Sequence, residues 1–223
     1  MIVRQVLRLL QKEYGVPQWR PRQDPVSTLM ATVLSQNTSD ANSERAFRSL
    51  VSVFADWETV AGADVDDIAE SIRLGGLADV KARRIKLILR RIREERGDLD
   101  LDFLADLPMS EAKSWLRRLP GVGPKTASCM LLFSLGRPAL PVDTHVFRVA
   151  KRLGLVDARV NPDRAHELLE RLVAPEDVYS FHLLMIEHGR RVCKAQRPRC
   201  DLCVLKGLCP RNDVRGRQKE NGS

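Results

Sequence analysis

Apolar residues recur along this chain at the spacing of a helix. Val3, Val6, Leu7, Leu10 and Tyr14 open it at intervals of three and four, and nearly every later segment repeats with a period of about 3.6 residues. Almost no segment alternates with a period of two, so the pattern predicts an all-α protein made of many short helices. Start signals stand ahead of the apolar stripes. Ser39 or Asp40 precedes Ala46, Phe47, Leu50 and Phe54, and Asp64 precedes Ile68 and Ile72. Ser110 precedes Trp115 and Leu116, and Asn161-Pro162 precedes Ala165, Leu168, Leu169 and Leu172. Such short polar side chains accept the unpaired N–H groups of a first helical turn. Gly75-Gly76, Gly97, Gly136-Arg137-Pro138, Gly154 and Gly189 read as stops. From Arg211 to Ser223 the chain is polar and charged without a core-facing pattern, which predicts a disordered tail.

With 223 residues, 43% of them hydrophobic, the chain can bury a core as one large domain or two small ones. Its longest apolar run, Cys129 to Phe133, is far short of the ~20 residues a membrane helix needs. The first fourteen residues follow helical spacing and lack the apolar stretch of a secretory signal. A cytoplasmic protein is expected, nucleoid-associated if the cell is bacterial. A net charge of +8 points to a polyanionic partner. Lys81, Arg83, Arg84, Lys86, Arg90, Arg91, Arg93 and Arg96 crowd one segment whose buried stripe is Ile85, Ile88, Leu89 and Ile92. That segment is either a solvated helix face or a flank turned to phosphates.

Four cysteines give the charge a focus. Cys193, Cys200, Cys203 and Cys209 are spaced C-x6-C-x2-C-x5-C, so one loop can bring four thiolates to a single metal centre. In a reducing compartment such a group is expected to ligate metal rather than form disulfides. Structural zinc usually takes two short knuckles separated by a longer span, and only one short knuckle occurs here. Around the loop stand Arg190, Arg191, Lys194, Arg197 and Arg199, with no acidic residue between Arg190 and Cys200. The fifth cysteine, Cys129, sits in an apolar helical stretch and reads as a small buried hydrophobe.

Upstream, Leu119-Pro120-Gly121-Val122-Gly123-Pro124-Lys125-Thr126-Ala127 reads as a tight connection between two helices. Gly121 and Gly123 can adopt positive φ and let a ligand approach closely, and Pro124 fits a first helical position, where no N–H is needed. The N–H groups of Val122, Gly123 and the following turn would then face outward as an anion site. Lys125 falls in the first helical turn, where the positive end of the helix dipole favours the free, nucleophilic amine. Position alone leaves it equally a surface lysine on a phosphate. Eighteen residues on, Pro141-Val142-Asp143-Thr144-His145 opens another helix, with Asp143 as N-cap or as a working carboxylate.

The hairpin string LPGVGPKTA, then V-D-T-H, then the cysteine spacing together resemble the endonuclease III branch of the helix-hairpin-helix DNA glycosylases, over Pro25 to Pro210. The resemblance implies two helical domains with DNA bound in a cleft between them. One is a six-helix barrel of residues 22–136 with the hairpin. The other joins residues 1–21 to 137–210 and houses a 4Fe-4S cluster on Cys193, Cys200, Cys203 and Cys209. By the same resemblance Gly121, Val122 and Gly123 hold a backbone phosphate. Lys125 is the nucleophile, Asp143 assists it, and the two meet in the cleft. Lys194, Arg197 and Arg199 would form a rigid basic finger on the DNA backbone. The gap left by an extruded nucleotide is filled from two loops, Leu34 to Asp40 and Gly75 to Lys81, with Leu77 as apolar wedge. The family's glutamine aligns on Asn37, whereas this chain has Gln36 one place earlier, so either amide is a candidate. The implied activity is base-excision glycosylase with abasic-site lyase, acting as a monomer on double-stranded DNA with damaged bases or abasic sites. It would remove oxidised pyrimidines through a lysine Schiff base and cleave 3′ by β-elimination. An adenine-mismatch glycosylase is disfavoured by Lys125; a non-catalytic helix-hairpin-helix DNA-binding protein is the rival from another class, and an electron-transfer module is remote.

Overall fold

A computed structural model describes residues 2–20 and 23–210; the expected boundary at Arg22 and the expected disordered tail lie outside them. Among the described residues there is no strand, and the α-helices are α1 (Ile2–Tyr14), α2 (Pro25–Leu34), α3 (Asp40–Val53), α4 (Trp57–Gly62), α5 (Val65–Ser71), α6 (Ala78–Arg96), α7 (Met109–Arg117), α8 (Pro124–Phe133), α9 (Thr144–Arg152), α10 (Pro162–Leu172) and α11 (Val178–Arg191). The all-α expectation holds. No described helix is long and apolar enough to cross a membrane. The chain forms two compact units, Met1–Trp19 with Pro138–Ser223, and Arg20–Arg137.

Helix starts follow the polar signals. Asp24, Ser39, Asp56, Asp143 and Asn161 each accept the N–H three residues on, at 2.7 to 3.3 Å, and each such cap stabilises by about 1 kcal/mol. Two boundary expectations are corrected. α7 begins at Met109 with Pro108 as its cap residue, so Ser110 lies inside the first turn; Pro108, which has no N–H to satisfy, enters in extended conformation and takes the place assigned to serine. α11 runs through Gly189 to Arg191. A Cβ at Gly189 would stand 3.0 Å from the Cβ of His145, so this glycine serves close approach to α9 rather than helix termination.

In unit Arg20–Arg137, α2 packs on α8, α3 and α6, and α6 also receives α4 and α5. Leu29, Met30, Val33, Ile85, Ile88, Leu89, Ile92, Met130 and Leu131 are fully buried there, each contributing about 1.5–3 kcal/mol relative to exposure. Four of the cations of α6 are engaged within the same unit: Arg90 with Glu94, Arg91 with Glu95, Arg93 with Glu58, and Lys86 with the carbonyl of Ala63. The solvated reading of this face fits that pairing better than a phosphate flank. Lys81, counted with the face from the sequence, is buried. In the other unit α11 packs on α9 and α1, burying Val3, Val6, Leu7, Leu10, Val146, Val149, Phe181 and Met185.

Candidate nucleic-acid interface and cluster loop

The hairpin turns between α7 and α8. Gly121 takes φ 72°, where a side chain is strained, and a Cβ there would lie 2.8 Å from the Cζ of Arg84, whose side chain would have to shift. Gly123 does not use its conformational freedom: it is the N-cap of α8 at φ −90°, ψ −179°, extended backbone open to any residue. A Cβ on Gly123 would meet nothing within 4 Å, so nothing within the protein demands its smallness. Val122 is corrected as well, because its N–H donates to the carbonyl of Leu119 at 3.1 Å and its side chain is buried. Forming the turn consumes that donor. The N–H groups without an intrahelical acceptor at the mouth of α8 are those of Gly123, Lys125 and Thr126, and a helix mouth of this kind is able to hold an anion. Lys125 is the second residue of α8 and half-buried.

A brace behind the turn was not foreseen. Nε2 of Gln36 donates to the carbonyl of Gly121 and to Oγ1 of Thr126, both at 3.2 Å. Its Oε1 accepts from Nη1 of Arg84 at 2.5 Å. One amide thus ties the end of α2, the hairpin and α6. These partners lie 48, 85 and 90 positions from Gln36, and no local spacing signals such a contact. Asn37, by contrast, is exposed.

Three described residues other than glycine have positive φ: Asn37 at 54°, Leu77 at 53° and Arg197 at 49°. Each costs about 1–2 kcal/mol in the left-handed region, less for asparagine, and such strain collects at functional sites. Leu77 stands 56% exposed immediately ahead of α6.

In the other unit Asp143 caps α9, with Oδ1 accepting from the N–H of Val146 at 2.8 Å; a carboxylate retains acceptor capacity on its second oxygen. Cys193, Cys200, Cys203 and Cys209 line one pocket with Arg152, Val192, Pro198 and Lys206. None of the four is in a disulfide. Burial pushes the Cys203 thiol up to about 11, and the other three cysteines add to the shift. A thiolate there needs a metal's positive charge, which is what an iron–sulfur centre supplies. Among the described residues no three or more His, Cys, Asp or Glu are set to hold a single ion; four thiolates around a cluster need not converge on one point, since each binds its own iron.

The loop is fastened from α9, by residues the sequence did not single out. Arg152 donates to the carbonyls of Lys194 at 2.6 Å and Ala195 at 3.1 Å and to Sγ of Cys193 at 3.4 Å. Arg148 donates to the carbonyls of Cys193 and Gly189, both at 3.0 Å. Nε2 of His188 lies 3.4 Å from Sγ of Cys203, and its Nδ1 lies 3.0 Å from the hydroxyl of Tyr14. Burial drives His188 down to about 4 and the Tyr14 phenol up to about 12, so both are neutral at pH 7. Arg148 and Arg152 stand four residues apart on one helix face, a weak signal that becomes meaningful only beside the loop. Lys194, Arg197 and Arg199 are exposed along it.

Residues 30–175 match the HhH-GPD superfamily base excision DNA repair protein, and residues 193–209 match the iron-sulfur binding domain of endonuclease III. The chain is 40% identical over 187 residues to endonuclease III of Thermotoga maritima, covering 83% of each. It is 43% identical over 162 residues to a putative DNA glycosylase of Arabidopsis thaliana, covering 73% of this chain and 55% of the plant protein's length. Among solved structures, a non-covalent endonuclease III–DNA complex superposes with TM-score 0.83 at 28% identity, covering 97% of each chain.

Proposed function

This chain belongs to the HhH-GPD superfamily and, within it, to the endonuclease III family of base excision repair DNA glycosylases, and we propose that it also acts as an abasic-site lyase on oxidised pyrimidines in duplex DNA. Its cofactor is a 4Fe-4S cluster. The observation that carries the proposal is Lys125, a half-buried amine in the first turn of α8 beside N–H groups able to hold a phosphate.

In this reading the hairpin seats a backbone phosphate on the N–H groups of Gly123, Lys125 and Thr126. The Lys125 amine attacks the sugar carbon C1′ as the bond to the damaged base breaks, and the base leaves with the bonding pair. The sugar ring opens to a protonated Schiff base. Loss of a proton from C2′ then expels the 3′ phosphate, and water releases the lysine. Asp143 is the carboxylate that takes the amine's proton and stabilises positive charge on the sugar. Leu77 and Asn37 enter the stack from strained, exposed positions, whereas Gln36 is occupied in bracing the hairpin. Cys193, Cys200, Cys203 and Cys209 hold the cluster, which when bound cross-links the loop and presents Lys194, Arg197 and Arg199 to the DNA backbone. The protein works as a monomer.

Borohydride reduction in the presence of a duplex carrying thymine glycol or an abasic site tests the chemistry. Wild-type protein is expected to form a covalent adduct, and Lys125→Ala to lose both adduct and strand scission by about 10³-fold or more while still binding DNA. An adduct undiminished in Lys125→Ala would assign the amine elsewhere.

A further inference from the structure

Lys81 is 2% exposed, a charged side chain drawn into the base of α6. Its Nζ donates to the carbonyl of Leu34 at 2.7 Å and to the carbonyl of Gly75 at 2.9 Å, and its backbone N–H donates to the carbonyl of Leu77 at 3.0 Å. Leu34 is the last residue of α2, three positions before Asn37, and Gly75 closes a short 3-10 turn two positions before Leu77. Asn37 and Leu77 are the two described residues of these loops held at positive φ without being glycine. Gly75 is itself wedged, since a Cβ on it would meet the Cβ of Ala46 at 2.9 Å, so the carbonyl that Lys81 grips cannot drift toward α3.

A buried ammonium is costly unless paired. Here it is offset by two carbonyls, one at the C-terminal end of α2, where the helix dipole is negative. Both acceptors are backbone carbonyls and neither is a carboxylate. Its reach of four methylenes spans two segments separated by about forty residues of sequence, and no apolar side chain could hold two carbonyls at once. Burial, with Arg84 nearby, lowers its affinity for a proton, in keeping with a group fixed in place rather than one meeting solvent.

We infer that Lys81 is a positioning residue that clamps the Asn37 loop to the Leu77 loop and sets their separation for opening the duplex. The inference rests on the proposed base-extruding role of those loops. It assigns Lys81 no contact with DNA and no part in the chemistry at C1′.

The test compares two substrates and one optical signal. With Lys81→Met, excision of thymine glycol from duplex is expected to fall about tenfold or more, whereas Schiff-base trapping on a single-stranded abasic oligonucleotide, which has nothing to unstack, stays within about twofold of wild type. A 2-aminopurine opposite the lesion should brighten on binding wild-type protein and stay dark with the variant. Equal losses on both substrates would reduce Lys81 to a general stabiliser and overturn the inference, as would no loss on either. If wild-type protein reacts with neither substrate, the lyase proposal fails instead, and the 2-aminopurine signal, which needs binding but no chemistry, still decides the clamp. Should Lys81→Met not fold, Lys81→Gln gives the same comparison. Should neither fold, hydrogen exchange on wild-type protein decides: residues 35–37 and 76–78 open with one common free energy if clamped and with two if not.

Discussion

The hairpin and the cysteine loop, each proposed above to meet a phosphate backbone, are ordered by different means. The hairpin is prefolded by the chain itself. Gly121 fits its positive φ, Val122 closes the turn and is buried beneath it, and Gln36, with Arg84 at its Oε1, ties the turn to two helices behind it. Between Val192 and Pro210 the cysteine loop has only one 3-10 turn, Cys200–Leu202, as regular structure. Its backbone is held by Arg148 and Arg152 from one side, and its four cysteines would let a metal centre join its two ends. A site made of backbone N–H groups can be specified by local sequence; a finger of exposed cations in an irregular loop requires a cross-link.

Taking the cluster away should therefore have the largest effect. Cys203→Ala, or oxidative loss of the iron, is expected to lower DNA affinity about tenfold or more by releasing the segment from Lys194 to Arg199. Far-UV circular dichroism should retain most of its helical signal, because the loop contributes a single short turn. Undiminished affinity in cluster-free protein would show that the arginine fastenings suffice, and the contrast between the two devices would vanish.

Within the hairpin, the two glycines should separate folding from binding. Gly121→Ala is expected to destabilise the protein by about 1–2 kcal/mol, read by chemical denaturation, since alanine disfavours φ 72° and its Cβ displaces Arg84. Gly123→Ala has extended backbone and open space, so its stability should stay within about 0.5 kcal/mol of wild type. Its affinity for duplex DNA, measured by fluorescence anisotropy, should nevertheless fall several-fold, because the methyl group stands where a phosphate must approach. A Gly123→Ala protein with intact affinity would remove the anion site from the mouth of α8.

The difference also explains what could be read in advance. Helices announce themselves because an amphipathic stripe is local: Ile85, Ile88, Leu89 and Ile92 are fully buried as their spacing requires. Asn161-Pro162 marked the start of α10 to the residue, since cap and first turn are neighbours in sequence. The cysteine spacing marked a metal centre, because ligands on one loop carry their geometry in their spacing, and the resemblance to the endonuclease III family named the cluster. Lys81 was misassigned to the basic face because burial of a lone lysine depends on carbonyls 47 and 6 residues away. Gln36 stood as a candidate for the base stack and Arg84 as part of the basic face, and their bracing contact was hidden for the same reason; Gly189 read as a stop because a stop and a close approach use the same residue type. What stayed hidden is the contact between distant segments, and most of the support behind the site is of that kind.

The smallest effect tests whether charge is used differently in the two regions. Arg197 and Arg199 lie exposed on the cysteine loop, while Arg90 lies on α6 with its guanidinium 3.3 Å from Glu94. An exposed pair of that kind contributes about 0–1 kcal/mol, and a phosphate would have to compete with Glu94 for the Arg90 guanidinium. Replacing Arg199 with alanine should reduce the slope of log affinity against log salt by about 0.9, the value for one lost phosphate contact, and weaken binding to all sequences alike. Arg197→Ala should do the same. Arg90→Ala should leave the slope as it is. If the Arg90 variant flattens the slope and the loop variants do not, the α6 face is the surface that tracks the backbone, and the loop's arginines would then serve only the loop.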